Sequence, residues 1–171
     1  MTINTTHVDY ALNGTKDTDH HLGETMLKQL PKSIKDPVAI FISQTKGNSS
    51  VVALLNFEVN GKQTVAPIVI DGFGFQNNIR IDSNAITSVY GKGSAINQLY
   101  QAAQDEANGK FSLLYVNKKE ADSLLQSAGH QLSGGLIPRN GFYHSIRENG
   151  SPVKSEYSYP NKAKRLKINR D

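Results

Sequence analysis

The chain has 171 residues, weighs 18.7 kDa and carries a net charge of +4, with no cysteine and no tryptophan. That length suits one domain, which buries roughly 70 % of its unfolded surface and needs no staple to fold. Without cysteine there is no disulfide, thiol chemistry, zinc finger or iron–sulfur site, and no stretch approaches the roughly 20 apolar residues of a membrane span.

The excess charge is confined to one end. Lys154, Lys162, Lys164, Arg165, Lys167 and Arg170 against Glu156 and Asp171 give Ser151–Asp171 a net +4, which leaves the first 150 residues neutral. A basic end of this kind either meets a polyanion or is a solvated tail. Met1–Asp9 has no Lys or Arg and no apolar core, so it does not read as a signal peptide.

In chain order, Thr6 caps a short helix through Leu12 that Gly14 stops. Leu22, Met26, Leu27 and Leu30 have helical spacing, and Pro31 is expected to end that helix. Pro37–Ser43 is a strand-like run. Val51–Val59 and Gln63–Asp71 flank Asn60-Gly61, a strong hairpin signal. Asp71-Gly72-Phe73-Gly74 breaks the second of these strands, and Ile79–Ile81 and Ala85–Tyr90 are further strands. Ser94 caps a helix over Ala95–Ala107, with Ile96, Leu99, Tyr100 and Ala103 on one face and Gly109 beyond it. Phe111–Val116 is a strand. Asn117 caps Lys118–Ala128, with Glu120 at the capping-box position and Gly129 as the stop. Gly141–Arg147 is a last strand. The order predicts an α+β fold, N-terminal helices packed on a mostly antiparallel twisted sheet of about four strands. Residues 1–149 are expected to form one domain, and 150–171 a basic tail of the composition common in disordered ends.

Several chemistries lack their motif. Gly72 and Gly74 lack the third glycine of a dinucleotide fingerprint, and Gly91-Lys92-Gly93-Ser94 lacks P-loop spacing. Gly-x-Ser-x-Gly is absent. Asp19-His20-His21 has no nearby partner at metal-ligand spacing, so no metal and no cofactor are expected.

The remaining polar inventory suits metal-independent RNA cleavage. A base must take the 2′-hydroxyl proton, an acid must protonate the leaving 5′-oxygen, and a cation must stabilise the phosphoryl oxygens. Candidate proton-transfer residues are His7, His20, His21, Tyr90 and His144, with Ser88 beside Tyr90. Arg147 and Lys92 are candidate phosphate ligands, and Lys118, Lys119, Arg139, Lys164 and Arg165 candidate RNA contacts. Each has a plainer reading. His7, His20 and His21 also fit solvated helix ends, Tyr90 an aromatic core residue, and Lys118 and Lys119 a solvated first turn. His144 alternates with Phe142 and Ile146, so it also fits the core, and on a sheet with one wet face it and Arg147 cannot share a site unless the strand bends.

The order of several landmarks resembles the C-terminal toxin domain of phage MuF-type proteins. They are Asp36–Phe41, Ile86–Lys92, Leu114–Lys119, Ser127–Leu132 and Phe142–Arg147, preceded by the helical part with His7 and His20-His21. The resemblance runs from Lys35 to Arg147 with that helical part ahead of it, and leaves the basic tail outside. It implies membership of the barnase–EndoU–colicin–RelE class of nucleases and an RNA-cleaving toxin. It further implies delivery from a phage or a secreting producer, action in the target-cell cytoplasm, and neutralisation by an immunity protein. His7, His20/His21, Ser88, Tyr90 and Lys92 match places where that family keeps polar groups. RNA, with tRNA as one candidate, is the expected partner, and no membrane is expected. The rival readings are an ADP-ribosyltransferase-type toxin and a non-catalytic module that binds protein or nucleic acid.

Overall fold

The computed structural model describes residues 1–3, 5–13, 21–70, 73–76, 79–130, 141–142, 144–146 and 152–154. In chain order these form β1 (Thr2–Ile3), α1 (Thr5–Asn13), α2 (Gly23–Lys35), β2 (Ala39–Ser43), β3 (Gly47–Val59) and β4 (Lys62–Val69). Next come β5 (Phe73–Gln76), β6 (Ile79–Asp82), β7 (Ala85–Ile86), β8 (Tyr90–Gly91) and α3 (Ala95–Ala107). β9 (Leu113–Val116), α4 (Lys118–Ser127), β10 (Gly141–Phe142), β11 (His144–Ile146) and β12 (Pro152–Lys154) complete the order.

The fold is α+β, as expected from the sequence. The main sheet runs β1-β7-β4-β3-β2-β9-β10, and β8 pairs with another stretch of β4, which makes eight strands. All pairings are antiparallel except β1 with β7. β4, β3, β2 and β9 form its centre and account for the expected four. The other four strands have two residues each, too short to show a period in sequence. β5 pairs with β6 and β11 with β12 as separate ribbons. β12 lies within the segment read as tail. The expected break of the second hairpin strand is present, β4 ending at Val69 and β5 beginning a separate ribbon at Phe73.

Both faces of the sheet are covered. On β3, Val52 and Leu54 pack with Leu99 and Ala103 of α3 and Leu125 of α4. The alternate residues Val51, Ala53 and Leu55 pack with Ala11 of α1 and Leu30 of α2. This explains why Val51–Leu55 is uninterruptedly apolar: a strand buried on both sides has no wet face to alternate with. Leu54, Leu99 and Leu125 are fully buried, and each such side chain contributes about 1.5–3 kcal/mol. A register shift between Ile40 and Phe41 lets Leu113 and Val116 of β9 both face the α3/α4 core.

The turns follow their residues. Asn60 and Gly61 have φ of 52° and 70°, the two left-handed residues of a type I′ hairpin joining Val59 to Lys62. α3 and α4 both end in Schellman motifs. Gly109 donates to Glu106 and Lys110 to Asp105, while Gly129 donates to Gln126 and His130 to Leu125.

Three expected helix ends are corrected. Thr6 lies inside α1 instead of capping it. Pro31 does not end α2 but lies inside it. It is exposed, while Leu30 and Ser33 on either side are buried, so packing carries the chain past the missing amide. Asn117 does cap α4, accepting from the Glu120 amide at 3.4 Å. The return half of the capping box is not made, because the Asn117 amide donates to the Val38 carbonyl at 2.8 Å. Ser94 precedes α3 without a side-chain cap bond.

Candidate anion-binding cleft

A cleft of about 520 Å³ opens on the α3 side of the sheet, between the β2–β3 turn, β4, the β7–β8 segment and α3. Its walls Phe41, Val52 and Pro67 are apolar, and its polar groups converge from four places in the sequence.

The β2–β3 turn contributes hydroxyls and a lysine. Ser43 Oγ lies 3.2 Å from Thr45 Oγ1 and accepts from the Lys46 amide at 3.2 Å. This side-chain-to-backbone turn fixes the loop and sets Lys46 in the lining. From β3, Ser50 Oγ donates to the Ile68 carbonyl at 3.0 Å.

The β7–β8 segment contributes Thr87, Ser88, Tyr90 and Lys92. Pro67 has no amide to offer, so Thr87 closes this edge by donating to the Pro67 carbonyl through its backbone at 3.0 Å and its hydroxyl at 3.3 Å. β8 then pairs Tyr90 with Val65 and Gly91 with Thr64, and the Lys92 amide donates to the Gln63 carbonyl at 2.9 Å. Gly91 makes this approach possible. A Cβ there would stand 2.6 Å from the Val59 carbonyl oxygen. With Gly91 pressed against the hairpin, Tyr90 and Lys92 flank it and both reach the cleft.

α3 contributes Gln98. Its backbone amide donates to the Ser94 carbonyl at 3.0 Å, while its side-chain Oε1 is buried and accepts nothing among the described residues.

Electrostatically the lining is one-sided, with two lysines, Lys46 and Lys92, and no carboxylate among the described residues. Burial raises the Tyr90 phenol above its ordinary pKa of 10.0, so at neutral pH Tyr90 holds its proton. The lining therefore carries positive charge beside a protonated phenol, a set suited to an anion with several oxygens.

A second cleft, of about 610 Å³, lies at the other end of β2 and β3. It is lined by Asn56, Phe57, Glu58, Gln63, Lys119 and Glu120, among others. Gln63 Nε2 donates to the Leu55 carbonyl and, at 3.3 Å, to that of Phe57. It thereby serves carbonyls where the β3–β4 register shifts between Leu54 and Glu58. Glu120 Oε2 is buried there without a partner among the described residues.

The structure thus brings Ser88, Tyr90 and Lys92 together. Lys118 is instead held by Asp122 at 2.8 Å, and Lys119 lines the second cleft. His21 is exposed and precedes Leu22, which packs in the α1/α2 core on the opposite face of the sheet; the structure does not bring it to Tyr90. His7 has its backbone in α1, in that same layer. His144 has its backbone in β11, paired with Lys154 of β12, and β11 lies against β9. His20, Arg139, Arg147, Lys164 and Arg165 lie outside the described residues. His130, which had no expected role, stacks on Tyr100 at 4.2 Å and bonds Asn97 at 3.1 Å. Among the described residues no group of three or more His, Asp or Glu could hold a metal ion, and no helix is long and apolar enough to cross a membrane.

Sequence reasoning missed Lys46 and Gln98. Lys46 was visible as a turn residue without a partner strand to place it. Gln98 had no local signal, since the pattern of α3 reveals its apolar stripe and not what its other faces meet.

Helices on both faces of a mostly antiparallel sheet, with a cleft lined by lysines and hydroxyls, define a small α+β domain. A family model, the phage MuF C-terminal domain, matches residues 11–123, about two thirds of the chain. The chain belongs to that family. The match contains every residue lining the first cleft and all of the second but Leu124; His7, the landmarks Ser127–Leu132 and Phe142–Arg147, and the basic tail fall outside it. No curated protein and no solved structure matches the chain.

Proposed function

We propose that this phage MuF C-terminal domain is a ribonuclease toxin that binds a phosphodiester of RNA in the Tyr90 cleft and cleaves it without a metal. The observation that carries the reading is the convergence of Ser88, Tyr90, Lys92 and Lys46 on a lining without a carboxylate. A polyanion is favoured there, and an acidic ligand site has no opposing charge to overcome.

In this reading the 2′-oxygen loses its proton to a base and attacks phosphorus, and the bond from phosphorus to the 5′-oxygen breaks. Tyr90, kept protonated by burial, gives its proton to that 5′-oxygen and regains one from water. Lys46 and Lys92 face the charge that grows on the phosphoryl oxygens. The products are a 2′,3′-cyclic phosphate and a 5′-hydroxyl. For the base we take His144. β10 runs along β9 from Gly141 opposite Val116 to Phe142 opposite Tyr115. That direction carries the chain toward the end of β9 where Ser112 bonds Ile42, next to the cleft residue Ser43. Arg147, three residues on, is a further phosphate ligand in this reading. The basic tail, with Lys164 and Arg165, holds the RNA backbone. The domain is delivered to act in a target cell and is countered by an immunity protein.

The test is incubation of the purified protein with total cellular RNA in excess EDTA. Discrete fragments ending in 2′,3′-cyclic phosphate are expected, reduced about 10²–10⁴-fold by Tyr90→Phe, the usual worth of one general acid. RNA left intact by protein that still poisons an expressing cell overturns the ribonuclease reading. It turns the search to dinucleotide-dependent modification, tested by thermal protection with a dinucleotide, or to binding alone.

A further inference from the structure

One group in the cleft is left unanswered by its neighbours. The hydroxyls of the same wall are committed: Ser50 donates to the Ile68 carbonyl and Thr87 to that of Pro67. The Oε1 of Gln98 is buried and has no donor among the described residues, and Gln98 lines the opening with Tyr90 and Lys92. Native proteins seldom bury an amide oxygen without a partner, and where they do, the vacancy calls for a reason. The first turn of α3 already anchors the backbone of Gln98 on Ser94, so its side chain is not needed to hold the helix end.

We infer that Gln98 reads an adenine base of the bound strand. The inference rests on the nucleic-acid reading above and names which base the cleft selects. A glutamine amide offers an acceptor and a donor side by side. Adenine is matched to that pair through its exocyclic amine, which donates to Oε1, and its N7, which accepts from Nε2. On the same edge guanine shows two acceptors, and pyrimidines lack N7. The phosphate beside Lys46 and Lys92 then fixes the strand, while the base one step away reaches Gln98. Position and identity are read by different groups.

The experiment measures binding of short single-stranded RNAs with a uridine background and one central adenine, cytosine, guanine or uracil. Their riboses are 2′-O-methylated so that cleavage does not intervene. Wild-type protein binds the adenine oligomer about tenfold more tightly than the uracil one, the scale of a single bidentate base contact. Gln98→Leu brings that ratio close to one. Gln98→Glu, which cannot donate to N7, does the same and serves the comparison should Leu impair folding. Equal binding of all four oligomers by the wild type, tighter binding of another base, or an adenine preference that survives both substitutions overturns the inference and leaves the nucleic-acid reading standing. A wild-type protein that binds none of them overturns that reading, and the inference with it.

Discussion

The two clefts sit at opposite ends of the same pair of strands, β2 and β3, yet they are built on opposite principles. In the Tyr90 cleft the local hydroxyls serve the backbone, as Ser43 does for Lys46 and Thr87 for Pro67, and the lining keeps two lysines with no acid among the described residues. The Glu120 cleft is lined by Lys119 together with Glu58 and Glu120, and a carboxylate oxygen of Glu120 is buried without a partner among the described residues. Size does not separate them. The sign and arrangement of charge do, and the proposed RNA phosphate is matched to the first.

The largest effect that sharpens this contrast comes from removing the lysines. Each charge-assisted contact is worth about 1.5–3 kcal/mol, so Lys46→Ala with Lys92→Ala lowers RNA affinity by about two to four orders of magnitude. The salt dependence of log affinity becomes shallower by about 1.4, since each single-strand phosphate contact contributes about 0.7. Lys119→Ala, in the other cleft, changes neither. Fluorescence anisotropy at several salt concentrations reads both quantities, and an equal loss from Lys119→Ala erases the distinction between the clefts.

Next in size is Gly91→Ala. The added Cβ meets the Val59 carbonyl oxygen, so β8 must shift and carry Tyr90 and Lys92 with it. Overpacking of this kind costs about 1–3 kcal/mol. Denaturant melts are expected to show that loss, and RNA binding to weaken even where the variant is fully folded. Unchanged stability would mean that β8 need not lie so close to the hairpin.

Thr64→Val is smaller and of opposite sign. Thr64 is fully buried, pairs with Gly91, and its hydroxyl has no partner among the described residues. Replacing that oxygen by a methyl group raises stability by about 1 kcal/mol, with RNA binding retained. A loss on melting would show that the hydroxyl is used.

The smallest effect is in pH. The phenol of Tyr90 is raised above 10.0 by burial. Below pH 10 both folded and unfolded chains keep the proton, so Tyr90 adds no pH dependence there. Above it the unfolded chain loses the proton first, and stability falls until the folded-state pKa is passed. Tyr90→Phe removes that share of the alkaline decline, and a decline identical in the variant would show that the phenol ionises freely.

The frame of the fold was legible where a local rule decides it. Asn60-Gly61 marked the hairpin, and Asn117, Gly109 and Gly129 marked helix ends, because capping and left-handed backbone depend on near neighbours. Pro31 misled because burial of Leu30 and Ser33 outweighed its missing amide. The site was half legible. Ser88, Tyr90 and Lys92 lie at every second position and so were found together. Lys46 and Gln98 come from other elements, and only tertiary pairing joins them to Tyr90. His21 lies away from Tyr90 for a reason already present in Val51–Leu55. A run apolar without alternation means a sheet covered on both faces, which puts the α1/α2 layer on the far side from α3.

The most direct test of the central claim is to titrate the isotopically labelled protein with a 2′-O-methylated single-stranded RNA and map the amide shifts by NMR. The account predicts the largest shifts at Ser43–Lys46, Thr87–Lys92 and Gln98. Shifts confined to Asn56–Glu58 and Lys119–Ser123, or to the basic Ser151–Asp171 segment alone, would contradict it.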